Sequence, residues 1–458
     1  MIISIVGSGG KTTKCKELKN QYLQEGKTVL LTTTTHMLIE NETLINPSLE
    51  DIEDGIKRNG WVFCGNQEND KKIKSLDAEL LEQAMKLADV TIIEADGSKQ
   101  MPLKYCLVDE PVVHPNSAEV IVIVNLKDLN KPIKEVVHRA KEACDMFSWD
   151  LEQNVTASMI QKLLRTCYIS RLKNYKITIQ VNGANSLYER AVASLLEDDI
   201  DVDLIDEKWF MPQPKCVILG GGHVSQAIVK MASILELYTI VIDPREEFAN
   251  HEVFRLANEV YCNEFDQMDS LLPTQTNTAY IIVTRGHKDD SLCLKKVIYK
   301  PHFYVGMIGS KKKVKQTMDT IDIDKELLKE VHAPIGIPIH CETPAEISLS
   351  ILSQVVDIKN QIYSASISKE LLETKKNGVL CLILRKTGSA PRNVGSMMLV
   401  TKDRIIDTIG GGTIEHQVIE DAKECKNVKM ETYSLNNEEG SKLGMICGGT
   451  NTILFIPI

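Results

Sequence analysis

Gly10-Lys11-Thr12, near the start of the chain, are the residue types that hold a phosphate chain. Backbone N–H groups at a helix start cradle the oxygens, an ammonium adds charge, and a hydroxyl reaches magnesium. They close the stretch IVGSGGKTTK, in which Gly7 and Gly9 precede them and Thr13 supplies a second hydroxyl. The usual loop has four residues between its glycines, whereas here only Ser8 and Gly9 separate Gly7 from Gly10. From these residues alone, a nucleotide site and a glycine turn bearing a solvent-facing lysine stand about level. Magnesium also needs a carboxylate at a neighbouring strand end, and VTIIEADG offers Glu94 and Asp96. Lys11 is then assigned to phosphate and Thr12 to magnesium, with Asp96 or Glu94 on the metal or its water and in the catalytic role.

A second constellation is CVILGGGHVSQA, a strand, a glycine turn and a helix start. Gly220, Gly222 and Ser225 take the fingerprint positions of a dinucleotide fold, with His223 at the helix start. Asp243, twenty-one positions after Gly222, ends the next strand, where an acid would accept ribose hydroxyls. A Rossmann fold that keeps its turn and binds no dinucleotide is an equal reading, so NAD(P) is a candidate ligand only. Arg285, His287, Gly309 and Ser310 also fall at strand ends, where open α/β sheets bind ligands. A histidine such as His287 is more often a capping or satisfied loop residue, and Lys311–Lys313 read as a solvated helix face.

A third set is glycine-rich: TGSAPRNVGSMMLV, IGGGTIE and MICGGT. Such turns let backbone amides approach an anionic or planar ligand. Arg392, Gly411, Gly412, Cys447 and Gly448 are the candidate cofactor-binding residues here. Lone cysteines are mostly buried and inert, so Cys447 stands out only by its neighbours.

The elements that must position these groups follow from periodicity. Short β-branched runs alternate with helical patterns up to the proline-spaced segment MPQPK, as in parallel α/β folds. Ile2–Val6, Thr28–Thr32, Val90–Glu94, Val120–Val124 and Ile177–Val181 are expected strands, and Thr12–Glu25 a helix. A second alternation places strands at Cys216–Leu219, Thr239–Ile242, Ala279–Thr284 and Phe303–Met307. Thr343-Pro344-Ala345-Glu346 is a capping box opening a helix to about Val356. From Gly378 the pattern is mostly β, with one helix near Glu415–Glu424. The expected class is α/β, in three units. They are a P-loop nucleotide-binding domain (1–212), a Rossmann-type parallel-sheet domain (213–357) and, after a linker (358–377), a small glycine-rich mostly-β domain (378–458).

The 458 residues suit about three domains. A net charge of −10 argues against binding nucleic acid through its phosphates. Twelve cysteines without a C-x-x-C pair argue against a disulfide framework or structural zinc and fit a reducing cytosol. No apolar run is long enough to span a membrane, so a cytoplasmic protein is expected.

Against known families, the spacing G-x-x-G-K-T-T resembles the short P-loop of the Mur ligases. GSGGKTT, LLTTTTH, EADGSKQMPLK and DEPVV, in that order, resemble the YqeC family, accessory proteins of selenium-dependent molybdenum hydroxylases. DPREEFAN, VTRGHKDD, YVGMIGSKKKV, VHAPIG and ETPAEI resemble the Rossmann domain of the XdhC/CoxI family. The glycine-rich clusters are similar to that family's other domain, which usually precedes the Rossmann domain and here follows it. Thr413 in GGGTIE stands where the family often has cysteine. The resemblance implies a maturation factor for a xanthine dehydrogenase-type molybdenum hydroxylase. Such a factor holds molybdopterin cofactor for sulfuration or selenation and delivers it to the apo-hydroxylase, with a sulfur or selenium donor protein as a second partner. An NTP with Mg2+ would serve the first domain, with NTPase activity. The other reading is an NAD(P)-dependent oxidoreductase with an NTP-binding regulatory domain. ATP or GTP, sulfur or selenium, and oligomeric state stay open at this level.

Overall fold

The computed structural model describes residues 1–212, 214–362, 367–388, 392–434 and 449–458. The apolar run IISIVG forms strand β1 (Ile2–Gly7), and the glycines after it turn the chain directly into helix α1 (Lys11–Gln24). Strands β2 (Val29–Thr33), β3 (Trp61–Asn69), β4 (Val90–Glu94), β5 (Glu119–Asn125) and β6 (Ile177–Asn182) join β1 in a parallel sheet. Its order is β6-β5-β1-β4-β2-β3, extended beyond β3 by short strands. β2 and β4 are buried along their whole length, as strands covered on both faces are. Parallel pairing opens the C-terminal ends of β1, β4, β5 and β6 on one edge, which brings Gly7, Glu94, Asn125 and Asn182 to a common rim. Helix α2 (Leu187–Glu197) packs on β6, opened by a capping box between Ser186 and Glu189.

A second parallel sheet contains β7 (Lys215–Leu219), β8 (Tyr238–Asp243), β9 (Glu259–Cys262), β10 (Thr278–Ile282), β11 (Tyr304–Met307) and β12 (Val331–His332). Its order, β9-β8-β7-β10-β11-β12, is the doubly wound 3-2-1-4-5-6 arrangement. Helices α3 (His223–Ile234) and α6 (Pro344–Ile362) cover one face, burying Ile228, Val229, Ile351 and Val355 together. Helices α4 (His287–Val297) and α5 (Lys311–Thr320) cover the other, with Cys293, Leu294 and Val314 in its core. The Thr343–Glu346 capping box forms as expected. α6 then runs past Val356 to Ile362, so the start of the expected linker is helix.

The remaining strands, β13 (Gly378–Gly388), β14 (Met397–Thr401), β15 (Ile405–Asp407), β16 (Lys429–Ser434) and β17 (Gly449–Pro457), form an antiparallel sheet ordered β15-β14-β13-β17-β16. Helix α7 (Gly412–Lys423) covers one face with Val418 and Ala422. The opposite face does not close on itself. Leu380, Leu382, Leu454 and Ile456 enter the same core as Leu195, Leu196, Ile205 and Phe210 of the first unit. Ile367 and Leu371, in the segment expected to be a polar connector, are buried there too. Arg190 on α2 donates to the Thr374 and Lys376 carbonyls, and Gly395 lies so close to Trp209 that a Cβ would sit 2.8 Å from its ring. The first and third units therefore share one interior, with the doubly wound sheet inserted between them in sequence. Among the described residues, no helix is long and apolar enough to cross a membrane.

Candidate functional site

The first rim is built around the turn after β1. Gly7 has φ +94, and a Cβ there would lie 2.0 Å from the Ile123 carbonyl oxygen on β5, so only glycine lets the chain leave the sheet at this point. The Gly9 carbonyl is held by the side-chain amides of Asn125 at 3.0 Å and Asn182 at 3.3 Å, from the ends of β5 and β6. Lys11 folds back over the turn, its ammonium 2.8 Å from the Gly7 carbonyl and 3.3 Å from Ser98 Oγ. Thr12 and Thr13 are exposed at the start of α1. Thr12 Oγ1 donates to Glu94 Oε2 at 3.0 Å. Burial pushes the Glu94 carboxyl up, against the pull of Lys11 and Thr12, and the Asp96 charge adds to the rise. A cation between Thr12 and Glu94 would relieve that penalty.

Asp96, expected as a magnesium ligand, is placed otherwise. One oxygen receives the Gly7 amide at 3.1 Å and the Tyr168 hydroxyl at 2.8 Å. The other is paired with the Lys104 ammonium, and both side chains are fully enclosed. Lys104 also lies 3.1 Å from Glu110, which Arg139 grips with both guanidinium nitrogens. Burial raises the Glu110 carboxyl, but Arg139 and Lys104 prevail and hold it at about 2. Asp96 is thus a strut under the glycine turn, and Glu94 is the carboxylate that meets Thr12. The three possible metal donors Asp96, Cys106 and Glu110 cluster here, but the Lys104 ammonium already supplies their cation.

Sequence reading does not single out Lys104, Glu110, Tyr168, Asn125 or Asn182. Lys104 and Glu110 lie inside two of the quoted YqeC-like stretches, which is the available signal. Tyr168 carries none, because it reaches Asp96 across 72 positions.

On the second rim, the strand order reverses between β7 and β10, where a ligand crevice is expected. Gly220 sits there with φ +111, and a Cβ would be 2.6 Å from the Val283 carbonyl. Gly222 caps α3 with open space around it, Ser225 is buried against the Gly220 carbonyl, and His223 is exposed. Asp243 departs from expectation. Its oxygens receive the Gly221 amide at 2.7 Å and the Arg245 amide and guanidinium at 2.8–2.9 Å, so they are engaged before any ribose arrives. Burial raises its carboxyl, and the Arg245 bonds with the Gly221 amide outweigh that and lower it. Arg245 itself lies over the Phe248 ring, 4.0 Å from the centroid.

Arg285 is exposed on this rim. His287 opens α4, with Nδ1 3.3 Å from Thr317 Oγ1 on α5. Ser310 caps α5 through the Lys313 amide, and Gly309 packs closely on Val314. Lys313, expected on a solvated face, is instead 2.6 Å from the fully buried Asp290, which Thr284 also donates to. An acid in the buried part of a helix needs such a countercharge.

In the third unit, Gly411 and Gly412 open α7 into free space. Glu415 accepts the Ile409 and Gly411 amides at 2.9 and 3.0 Å. Thr413 and Arg392 are exposed. Cys447 and Gly448 lie outside the described residues.

Comparison with known proteins divides the chain the same way. Residues 3–141 match the YqeC protein family, 216–355 the XdhC Rossmann domain, and 371–433 the XdhC and CoxI family. The chain is a YqeC–XdhC fusion. Its YqeC and XdhC parts have separate relatives. An uncharacterized Escherichia coli (strain K12) protein, YqeC, is 28% identical over 172 residues, covering 36% of this chain and 67% of that protein. A second E. coli protein, YqeB, is 29% identical over 152 residues, covering 32% of this chain and 28% of YqeB. A probable xanthine dehydrogenase component of Bacillus subtilis (strain 168) is 20% identical over 151 residues, covering 33% of this chain and 44% of that protein. The fusion thus spans under half the length of YqeB and of the B. subtilis protein.

Proposed function

We propose that this fusion is a maturation factor for a molybdenum hydroxylase of the xanthine dehydrogenase type, with a nucleotide site in its YqeC part. The observation that carries the nucleotide reading is the Thr12–Glu94 hydrogen bond beside Lys11 on a glycine turn. A hydroxyl and an acid 3.0 Å apart at neighbouring strand ends fit a magnesium ion or its water. Lys11 would swing from the Gly7 carbonyl to the phosphates, while the first-turn amides of α1 face their oxygens. Glu94, rather than Asp96, takes the metal-side role, and Asp96 with Tyr168 and Lys104 keeps the turn in place. Bound magnesium would supply charge neutralisation at the phosphates.

The XdhC parts support the molybdenum side through family membership and the B. subtilis relative's name. Open backbone at Gly411-Gly412 suits the phosphate of a molybdopterin cofactor, and Arg392 would add charge. Handling of sulfur or selenium, and delivery to an apo-hydroxylase with a chalcogen donor, complete the reading. The oxidoreductase alternative is weakened by Asp243, whose oxygens are held by Arg245 and Gly221.

Titration calorimetry of the purified chain with Mg-ATP, Mg-GTP and NADH tests the nucleotide side. Metal and pterin analysis of protein from a molybdate-fed host tests the other. Saturable triphosphate binding lost in Lys11→Ala, together with co-purifying molybdenum and pterin, is expected. Tight NADH binding with neither element would overturn the reading.

A further inference from the structure

Beside the glycine turn lies a pair of thiols with no part in the proposed nucleotide site. Cys106 and Cys167, 61 positions apart, are both buried and in contact. Cys167 Sγ accepts the Cys106 backbone amide at 3.1 Å, and the two thiols hydrogen-bond to each other. Their backbones are unusual. Cys167 lies in the π-helical turn Arg165–Ile169, a rare insertion that recurs at functional sites. The Cys106 carbonyl is gripped by Arg171 at 3.2 Å, which also donates to the Glu110 carbonyl at 2.7 Å. The Cys106 thiol, helped by its own amide and the Arg171 charge, lowers the Cys167 thiol against the effect of burial. Cys106 is pushed up by its hydrogen bond to Cys167 and by burial, so it keeps its proton. One thiolate-prone sulfur beside one protonated partner is the arrangement of a dithiol redox pair.

We propose that Cys106 and Cys167 form a dithiol–disulfide couple whose oxidation state is transmitted to the glycine turn. The oxidant class is a hydroperoxide. Cys167 thiolate attacks its terminal oxygen; the S–O bond forms, the O–O bond breaks, and the leaving alkoxide or hydroxide takes up a proton. Cys106 sulfur then attacks Cys167 sulfur; the S–S bond forms, the S–O bond breaks, and water departs with the Cys106 proton. Two thiols lose two electrons, and the hydroperoxide becomes an alcohol, or water, and water. Access is one segment deep, because Leu107 and Val108, next in the chain, are 46% and 91% exposed.

Transmission runs through neighbours. Tyr168 adjoins Cys167 and donates to Asp96; Lys104 stands two residues before Cys106 and pairs with Asp96; Asp96 receives the Gly7 amide. Drawing the sulfurs to about 2.05 Å shifts both supports of that carboxylate. Only this last step rests on the nucleotide reading.

The test uses the reduced full-length chain, treated with rising hydrogen peroxide and mapped by non-reducing peptide mass spectrometry. Mg-ATP affinity is measured on both forms. A Cys106–Cys167 linked peptide appearing before any other, loss of two thiols restored by dithiothreitol, and a threefold or larger change in affinity that Cys106→Ser abolishes are expected. Oxidation at the exposed Cys262 with no linked peptide would overturn the couple. A linked peptide with unchanged affinity would overturn the transmission. If neither form binds nucleotide, the nucleotide reading fails while the linked peptide still decides the couple.

Discussion

The Tyr168 hydroxyl lies 2.8 Å from Asp96 Oδ2, the same oxygen that receives the Gly7 amide. A residue on a π-turn thus holds the carboxylate on which the glycine turn rests. Removing that hydroxyl in Tyr168→Phe leaves the ring in place and deletes one bond to a charged acceptor. Urea denaturation should show a loss of about 1.5–3 kcal/mol. Asp96→Ala strands the enclosed Lys104 ammonium and should cost more, about 3–5 kcal/mol.

Glu94 and Thr12 separate metal binding from stability. Glu94→Gln keeps a hydrogen-bond partner for Thr12 and removes a carboxyl that burial already disfavours. The melting temperature should hold or rise. Magnesium-dependent triphosphate affinity should fall at least tenfold, about 1.4 kcal/mol, in calorimetry with and without magnesium. Unchanged magnesium dependence would return the metal role to another acid.

Glu110 gives a pH signature. Its folded pKa, about 2, is depressed below the ordinary carboxylate value, about 4.3. Such a group adds stability that is fully present above the unfolded value and is lost as pH falls through the folded one. Melting temperature should decline between about pH 4.5 and pH 2. In Glu110→Gln the neutral-pH melting temperature should be lower and that part of the decline flatter.

Arg245 neutralises an acid that is almost wholly enclosed, while remaining one-third exposed itself. Arg245→Ala should destabilise the doubly wound unit by about 3 kcal/mol, the lower end for an ion pair losing one member. Calorimetric unfolding resolves it. If Asp243 were a ribose acceptor held in reserve, the same variant would gain NADH affinity; none is expected.

Much of this architecture is legible along the chain, and the exceptions share a physical cause. β1, its glycine turn and α1 are local, as are the capping box at Thr343 and the β7–α3–β8 fingerprint, so periodicity and glycine spacing suffice. Asp96 and Asp243 read as ligands because an acid at a strand end looks available in one dimension. Their partners, Lys104, Tyr168 and Arg245, become visible only when burial demands a countercharge. Lys313 misleads for the same reason, since three consecutive lysines conceal the one that turns inward to Asp290. The common interior of the first and third units is beyond reach, because α2 and β17 show ordinary apolar periodicity and nothing in either names the other.

That common interior bears on synthesis. The ribosome releases the first 210 residues with Leu195, Ile205 and Phe210 still lacking Leu454 and Ile456. At about 5–20 residues per second, roughly 10–50 s pass before the last strand emerges to cover them. The inserted doubly wound sheet, complete by then, folds meanwhile between two halves of an unfinished body. Nascent chains stalled before β17 should therefore be the species that chaperones capture.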